Sequence, residues 1–222
     1  MQPSPSIIPH INAAHCELLK AYDDISGGLY VFHIDTIFKL LYTIYMNQKY
    51  FTGIGSRQAP IWIISAIEYI AERLILNNFI LRSGGADGMD TFWENSYKNG
   101  ISEIYLPWKK FNGNTSTLLP NKIEAFKIAA TIHPVWDQLE YGPKLLHARN
   151  CHQVLGQDLK TPSRFVLCWT QDAHVKGGTA TAINLALNNN IPVLNFGRWT
   201  NTSSMKDAFD DFWILNGEEN EI

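Results

Sequence analysis

The sequence predicts an α/β protein with a Rossmann-like, doubly wound parallel sheet of strand order 3-2-1-4-5 and helices on both faces. Five short apolar runs alternate with segments of helical periodicity. Glycine-rich turns follow the first, second and fourth of these runs. The stretch 165–196 reads as strand, glycine-rich turn, helix and strand, and such a βαβ unit implies a parallel sheet with a right-handed crossover.

The composition fits a folded globular domain. Of 222 residues, 45% are hydrophobic and 18% are charged, which excludes an intrinsically disordered chain. The net charge is -3, whereas a dedicated nucleic-acid binder carries a basic excess, so only a local basic patch is left for such a role. Cys16, Cys151 and Cys168 are scattered, which predicts a reducing compartment. Because the first residues show no signal-peptide pattern, we expect a cytoplasmic protein.

Three regions are predicted along the chain. Residues 1–48 read as a helical appendage, 49–199 as the Rossmann-like domain, and 200–222 as a C-terminal helix with an acidic tail. The stretch 29–46 is apolar but contains three charged or titratable residues, His33, Asp35 and Lys39. It therefore reads as core or interface rather than a membrane span, and we expect a homo-oligomer.

The predicted elements of the domain follow its alternating pattern. The strands are expected at 50–54, 79–82, 103–106, 165–169 and 193–196. The helices are expected at 61–77, 89–98, 121–131, 142–155, after the turn at 176–179, and at 203–215. Pro60 stands at the start of the first helix, where proline is favoured.

The three glycine-rich turns should meet at one crevice. They read GSR after the first strand, SGGADGMD after the second and KGGT after the fourth. In the order 3-2-1-4-5 the first and fourth strands are neighbours at the topological switch point, where ligands bind beyond the carboxyl ends of the strands. The start of the helix after KGGT offers unpaired amides that attract phosphate. The pattern therefore favours a nucleotide-type ligand.

At these turns the chain resembles a known superfamily. TGIGSR, LRSGGADGMD, HARNCHQVLG and VLCWT followed by KGGTATAINLALNNNIPVLN resemble the DprA/Smf-type branch of the SLOG superfamily, especially its short, phage-encoded DprA-like members. The resemblance covers about 50–196. It implies a Rossmann-like fold that binds nucleotides or nucleic acid, pairing through helices, and a bacterial host cytoplasm if the protein is phage-encoded. Members include a DNA-recombination mediator, LOG phosphoribohydrolases and sensors of nucleotide signals.

Two departures from the superfamily pattern bear on function. LOG enzymes carry GGxGTxxE, but Asn184 stands here at the glutamate position and cannot act as an acid or base. The net charge is negative, whereas DNA-binding proteins usually carry a positive net charge. The first hypothesis is therefore a nucleotide-binding protein that senses or sequesters a signal. The alternatives are a DprA-like single-stranded DNA-binding accessory and a LOG-like N-glycosidase.

The candidate ligand-binding residues lie mainly in the three turns. Arg57 would hold a phosphate bidentately, or else form a surface ion pair. Ser56 would bind the ligand or cap a helix. The glycines would let backbone approach the ligand or satisfy tight turns. The predicted pocket contains Gly55, Ser56, Arg57, Ser83, Gly84, Gly85, Gly177, Gly178, Thr179 and Thr181.

Further candidates carry acidic or amide groups. Asp87 and Asp90 lie at a helix start, where they would interact favourably with the helix dipole or accept hydrogen bonds from ribose hydroxyls. Asp90 and Glu94 lie four residues apart and are the candidate catalytic residues, with Glu94 as the first candidate for a general acid or base. The resemblance places Arg149 and Asn150 at the crevice. The nearby His and Cys residues match no zinc template, so we predict no metal and no cofactor beyond the nucleotide.

Overall fold

The computed structural model describes residues 48–217 and confirms the predicted sheet. Five parallel strands lie in the order β3-β2-β1-β4-β5. The predicted appendage, except for its last residue, and the end of the acidic tail lie outside the described residues. The strands are β1 Lys49–Gly55, β2 Phe79–Ser83, β3 Ile101–Ile104, β4 Phe165–Trp169 and β5 Val193–Asn195. The helices are α1 Ile64–Leu76, α2 Met89–Ser96, α3 Lys122–Ile132, α4 Tyr141–Leu155, α5 Gly178–Asn188 and α6 Thr202–Asn216.

The central strands are buried on both faces. β4 reads Phe-Val-Leu-Cys-Trp, and all five residues are buried. Because side chains alternate along a strand, Phe165 and Leu167 enter one core while Val166 and Cys168 enter the other. This explains why the strand is continuously apolar, as strands covered by helices on two sides are.

The first face of the sheet has an aromatic core. The helices α1, α2 and α6 cover it, and Phe51 lies at its centre. The ring centroid of Phe51 lies 5.4 Å from that of Trp93 and 6.3 Å from that of Phe165. The C-terminal helix contributes Phe209 and Trp213 to the same core. The helix predicted beyond the domain boundary therefore completes the packing of this face.

The second face is built from small side chains. The helices α3, α4 and α5 cover it, and their buried residues include Ala125, Ala129, Ala148, Ala182 and Ala186. Small side chains let helices approach closely, so the second half of α4 is enclosed by its neighbours. That half carries five buried polar side chains, those of His147, Arg149, Asn150, His152 and Gln153.

The third strand differs from its prediction. It begins at Ile101, two residues before the predicted start, and ends at Ile104. Tyr105 instead forms an isolated bridge with Leu118, and the amide of Leu106 donates to the Leu118 carbonyl at 2.9 Å. A returning loop segment thus replaces the strand continuation that the apolar pattern predicted. Within residues 48–217, no helix combines the length and apolarity needed to cross a membrane.

Candidate functional site

A crevice of about 750 Å³ opens at the carboxyl ends of β1 and β4. This is the switch point of the sheet, because the chain leaves β1 and β4 towards helices on opposite faces. The lining comprises Ile54, Gly55, Ser56, Arg57, Ala86, Asp90, Pro143, Leu146, His147, Arg149, Asn150, Gln153, Thr170, Gln171, Asp172, His174, Lys176, Gly177, Gly178 and Thr179.

Hydrogen bonds join the three turns into one frame. The amide of Ser56 donates to the carbonyl of Trp169 at the end of β4, at 2.9 Å. The carbonyl of Ser56 accepts from the amide of Met89, the first residue of α2, at 3.1 Å. The hydroxyl of Thr179 donates to the carbonyl of Gly55 at 3.0 Å. The predicted convergence of the turns is therefore confirmed.

Gly88 allows the second turn to lie against the first. Its φ is +77°, and a Cβ at this position would stand 2.5 Å from the carbonyl oxygen of Arg57. A side chain would be strained by the backbone conformation and would also collide with the Arg57 backbone. Gly88 thus allows the backbones of the first and second turns to pack together. The Arg57 side chain is exposed.

The rim of the crevice is mainly positively charged. Around it, the cations Arg57 and Lys176 are exposed, together with the imidazole ring of His174 and the carboxylate of Asp172. The helix α5 begins at Gly178, and within the described residues no side chain caps its start. The positive end of the helix dipole and the first amides therefore face the crevice, as in sites that bind anions.

The floor of the crevice is formed by the buried polar residues of α4. Arg149 donates from Nη1 to the carbonyl of Gly84 at 2.8 Å and from Nη2 to Oδ1 of Asn150 at 3.1 Å. Asn150 donates from Nδ2 to the carbonyl of Gly178 at 2.7 Å. Adjacent residues of α4 thus hold the turns after β2 and β4, and Nη1 of Arg149 lies 3.7 Å from Oδ2 of Asp90.

Burial shifts the pKa values of the floor. Desolvation raises the pKa of Asp90 to about 6, although Arg149 and backbone amides act in the opposite direction. Desolvation and the charge of Asp90 raise the pKa of Glu94 to about 7. Burial lowers the pKa of His147 to about 4, so its imidazole is neutral at physiological pH, with Nδ1 placed 2.8 Å from Oγ1 of Thr181.

Most of the predicted site residues meet at the crevice. Those that line it are Gly55, Ser56, Arg57, Asp90, Arg149, Asn150, Gly177, Gly178 and Thr179. They come from all three turns and from α4. The sequence therefore predicted nine of the twenty described residues that line the crevice, and the ligand-binding roles of these residues stay predictions.

The other predicted residues lie beside the lining. The hydroxyl of Ser83 donates to the carbonyl of Gly53 at 2.8 Å, and Thr181 is occupied by His147. Asp87 is exposed on the turn, and Glu94 accepts from the side-chain amide of Asn114 at 3.1 Å. Gly84 and Gly85 support Arg149 and the loop at 111–114 through their carbonyls. Their proposed contacts with a ligand would therefore be indirect.

Several lining residues were not among the predicted ones. Gln153 follows Arg149 by four residues, so helical spacing places both on one face of α4. Thr170, Asp172 and His174 follow β4, and the switch-point rule applies to them as much as to the KGGT turn. Extending that rule over the whole loop 170–176 would have found them.

The described residues contain no group of three or more His, Cys, Asp or Glu side chains that could hold a metal ion. Cys151 and Cys168 are both buried, and burial raises the pKa of each thiol to about 12. Both thiols are therefore protonated at neutral pH and pack as small apolar groups.

Comparison with known proteins gives fold-level similarity only. No family model matches the sequence, and no curated protein matches it. DNA processing protein A from Helicobacter pylori, in a structure describing its single-stranded DNA binding mode, is 15% identical at a TM-score of 0.45 and covers 77% of this chain and 75% of its own. DNA processing protein A (DprA) from Streptococcus pneumoniae is 16% identical at a TM-score of 0.40, covering 67% of this chain and 50% of its own. Both neighbours belong to the group that the turn motifs resemble.

Proposed function

We propose that the crevice binds a nucleotide-type ligand through its phosphate. The observation that carries this proposal is the joining of three turns around one rim, where Arg57, Lys176 and the start of α5 are all positive. A guanidinium holds phosphate oxygens bidentately, and helix amides add further donors. The phosphate would therefore lie between Arg57 and Gly178.

The size and walls of the crevice suit a whole nucleotide. Ligand pockets span roughly 300–1,000 Å³, and this crevice has about 750 Å³. Ile54, Ala86, Pro143 and Leu146 supply an apolar wall beside the polar floor. A nucleobase can pack against this apolar wall. Inorganic phosphate alone would leave the wall exposed to water.

Retention of the ligand fits the site better than its cleavage. Asn184, at the position of the LOG-type glutamate, does not line the crevice. Among the lining residues Asp90 is the nearest carboxyl group to the floor, and it is engaged with Arg149 and the amide of Ala86. We therefore favour sensing or sequestering of a nucleotide over hydrolysis.

The test is a titration of the protein with nucleoside mono-, di- and triphosphates, dinucleotides and ADP-ribose, read by thermal shift and calorimetry. Replacing Arg57 by Ala removes a charged phosphate partner, so we expect about tenfold weaker binding or more. Arg198→Ala is the matched control, because Arg198 is exposed and lies outside the crevice lining. Unchanged melting temperatures with every ligand would reject the proposal.

Single-stranded DNA is the second candidate ligand, favoured by an exposed aromatic side chain near the floor. Trp108 is 42% exposed and stands edge-on to Phe111 at 5.1 Å between ring centroids. The guanidinium carbon of Arg149 lies 5.9 Å from the Phe111 ring, and Lys109 and Lys110 adjoin Trp108. A base next to a bound phosphate could stack on Trp108. Single-stranded DNA is also what DNA processing protein A from Helicobacter pylori binds.

Fluorescence anisotropy of labelled oligothymidylate tests this candidate. We expect binding that weakens with salt and a several-fold loss of affinity in Trp108→Ala, since stacking contributes about 1–3 kcal/mol per base. Trp62→Ala is the control, because Trp62 is 39% exposed and lies directly before α1 rather than in the loop that carries Trp108 and Phe111. Absence of binding at low salt would exclude this candidate.

A further inference from the structure

The floor of the crevice differs from its rim in charge. At the rim, Arg57 and Lys176 are exposed cations. On the floor, the guanidinium of Arg149 is only 9% exposed and faces the carboxylate of Asp90 at 3.7 Å. With a pKa of about 6, Asp90 is mainly ionised at neutral pH and compensates the charge of Arg149. A second phosphate on the floor would therefore meet a carboxylate without a free positive charge.

Two buried donors on the floor lack acceptors within the described part of the chain. They are Nε of Arg149 and Nε2 of Gln153. Gln153 is 1% exposed, and both side chains line the crevice. Buried polar groups in proteins are almost always hydrogen-bonded, so unpaired donors on two side chains that line a crevice mark a place where a ligand can supply the acceptor.

Gly84 makes room for these two side chains. A Cβ at this position would lie 2.4 Å from Nε2 of Gln153 and 2.7 Å from Nη1 of Arg149. Any larger residue would push both groups away from the end of β2. The absence of a side chain at Gly84 therefore lets Gln153 and Arg149 come together at the end of β2, where Arg149 lies beside Asp90.

A pair of neutral hydroxyls satisfies this arrangement of groups. A hydroxyl donates one hydrogen bond and accepts others, whereas an ionised carboxylate only accepts and Arg149 only donates. One hydroxyl can thus donate to Asp90 and accept from Arg149, and its neighbour can accept from Gln153. A fully ionised phosphate cannot donate to Asp90, and an apolar group would leave Nε of Arg149 and Nε2 of Gln153 without acceptors.

We propose that Asp90, Arg149 and Gln153 form a ribose subsite that binds the 2′- and 3′-hydroxyls of a ribonucleotide. This inference rests on the proposed function, because the phosphate at the rim holds the sugar above the floor. It assigns Gln153 as a residue that determines specificity. A 2′-deoxyribonucleotide lacks one hydroxyl, so it leaves a buried polar group without a partner.

Calorimetry with matched nucleotide pairs tests the subsite. The probes are AMP, GMP, CMP and UMP, each beside its 2′-deoxy form. For the base that binds best, we expect the ribonucleotide to bind at least about tenfold more tightly than the deoxynucleotide. In Gln153→Leu we expect this ratio to fall several-fold while the deoxynucleotide affinity changes little. Gln138→Leu, at an exposed position, is the control and should keep the wild-type ratio.

The outcomes separate the two proposals. Equal affinities for the ribose and deoxyribose forms would overturn the ribose subsite and leave the nucleotide-binding proposal standing. Absence of binding by all eight nucleotides would overturn the ribose subsite, and it would overturn the nucleotide-binding proposal only together with unchanged melting temperatures for the di- and triphosphates, the dinucleotides and ADP-ribose. The comparison within the wild-type protein needs no variant, so the inference is decided even if Gln153→Leu does not fold.

Discussion

The two faces of the sheet differ in the size of the side chains that pack against them. The face covered by α1, α2 and α6 is filled with large aromatic rings, including those of Phe51 and Trp93. The face covered by α3, α4 and α5 is filled with alanines and other small residues, such as Ala148 and Cys151. On the first face the apolar contacts surround the β1 and β4 side chains. On the second face a helix with buried polar residues approaches the strand ends.

This difference indicates that one face mainly stabilises the fold and the other positions the crevice. Large buried rings remove much apolar surface from water, so the aromatic face supplies most of the stabilisation. Small residues stabilise less, but they bring α4 close enough for Arg149 and Asn150 to reach two separate turns. The alanine-rich face therefore positions the crevice. Truncation on the aromatic face should therefore lower mainly the stability, whereas enlargement on the alanine-rich face should lower both stability and ligand affinity.

The largest effect is expected from truncation on the aromatic face. Phe51→Ala removes a ring that contacts four other aromatic rings, so the free energy of unfolding should fall by about 3–5 kcal/mol. Urea denaturation measures this change. Leu76→Ala, at a residue that is 81% exposed, should change it by less than about 0.5 kcal/mol. A loss below about 1 kcal/mol for Phe51→Ala would remove the distinction between the faces.

A smaller effect on stability is expected from enlargement on the alanine-rich face. Ala148→Leu adds volume to a fully buried position of α4, which should cost about 1–3 kcal/mol. Because Arg149 and Asn150 follow directly in the helix, nucleotide affinity should fall as well. Ala130→Leu, at an exposed position of α3, serves as the control in denaturation and calorimetry. Retained affinity in a destabilised Ala148→Leu would show that α4 does not position the crevice.

The smallest effect concerns pH. Between its ordinary pKa of 4.5 and its folded pKa of about 7, Glu94 binds more protons in the folded than in the unfolded state. Its contribution to stability is therefore lost as pH rises through 7. The free energy of unfolding of Glu94→Gln minus that of the wild type should increase from pH 5 to pH 8 and then level off. The lowered pKa of His147 acts in the opposite direction in both proteins, so the difference cancels it.

The exposed Glu68→Gln is the control for that series, and its difference from the wild type should stay constant with pH. A constant difference for Glu94→Gln as well would contradict the buried, electrostatically coupled environment assigned to Glu94. The experiment thus tests the polar cluster behind the floor without requiring a ligand.

The fold and the position of the crevice were predictable because local patterns determine them. Apolar runs and glycine-rich turns after strands one, two and four were enough for the strand order and for the convergence at Gly55, Gly84 and Gly177. Arg149 and Asn150 were placed at the crevice by the resemblance of the helix motif.

The pairing within the floor was not predictable from the sequence. The contact between Arg149 and Asp90 joins residues that are far apart in the chain, and it depends on the depth at which α4 packs on its alanines. For Gln153, burial with an unpaired amide is a property of the folded environment, which periodicity does not report. The end of β3 likewise depended on a long-range bridge to Leu118.

We propose that the crevice retains an intact nucleotide. The most direct measurement is mass spectrometry of a nucleotide mixture after incubation with the pure protein, with bound and free fractions separated. We expect an intact ribonucleotide in the bound fraction of the wild type and of Arg198→Ala, and its depletion from the bound fraction of Arg57→Ala. A free base appearing together with a sugar phosphate, or a bound fraction without any nucleotide, would contradict it.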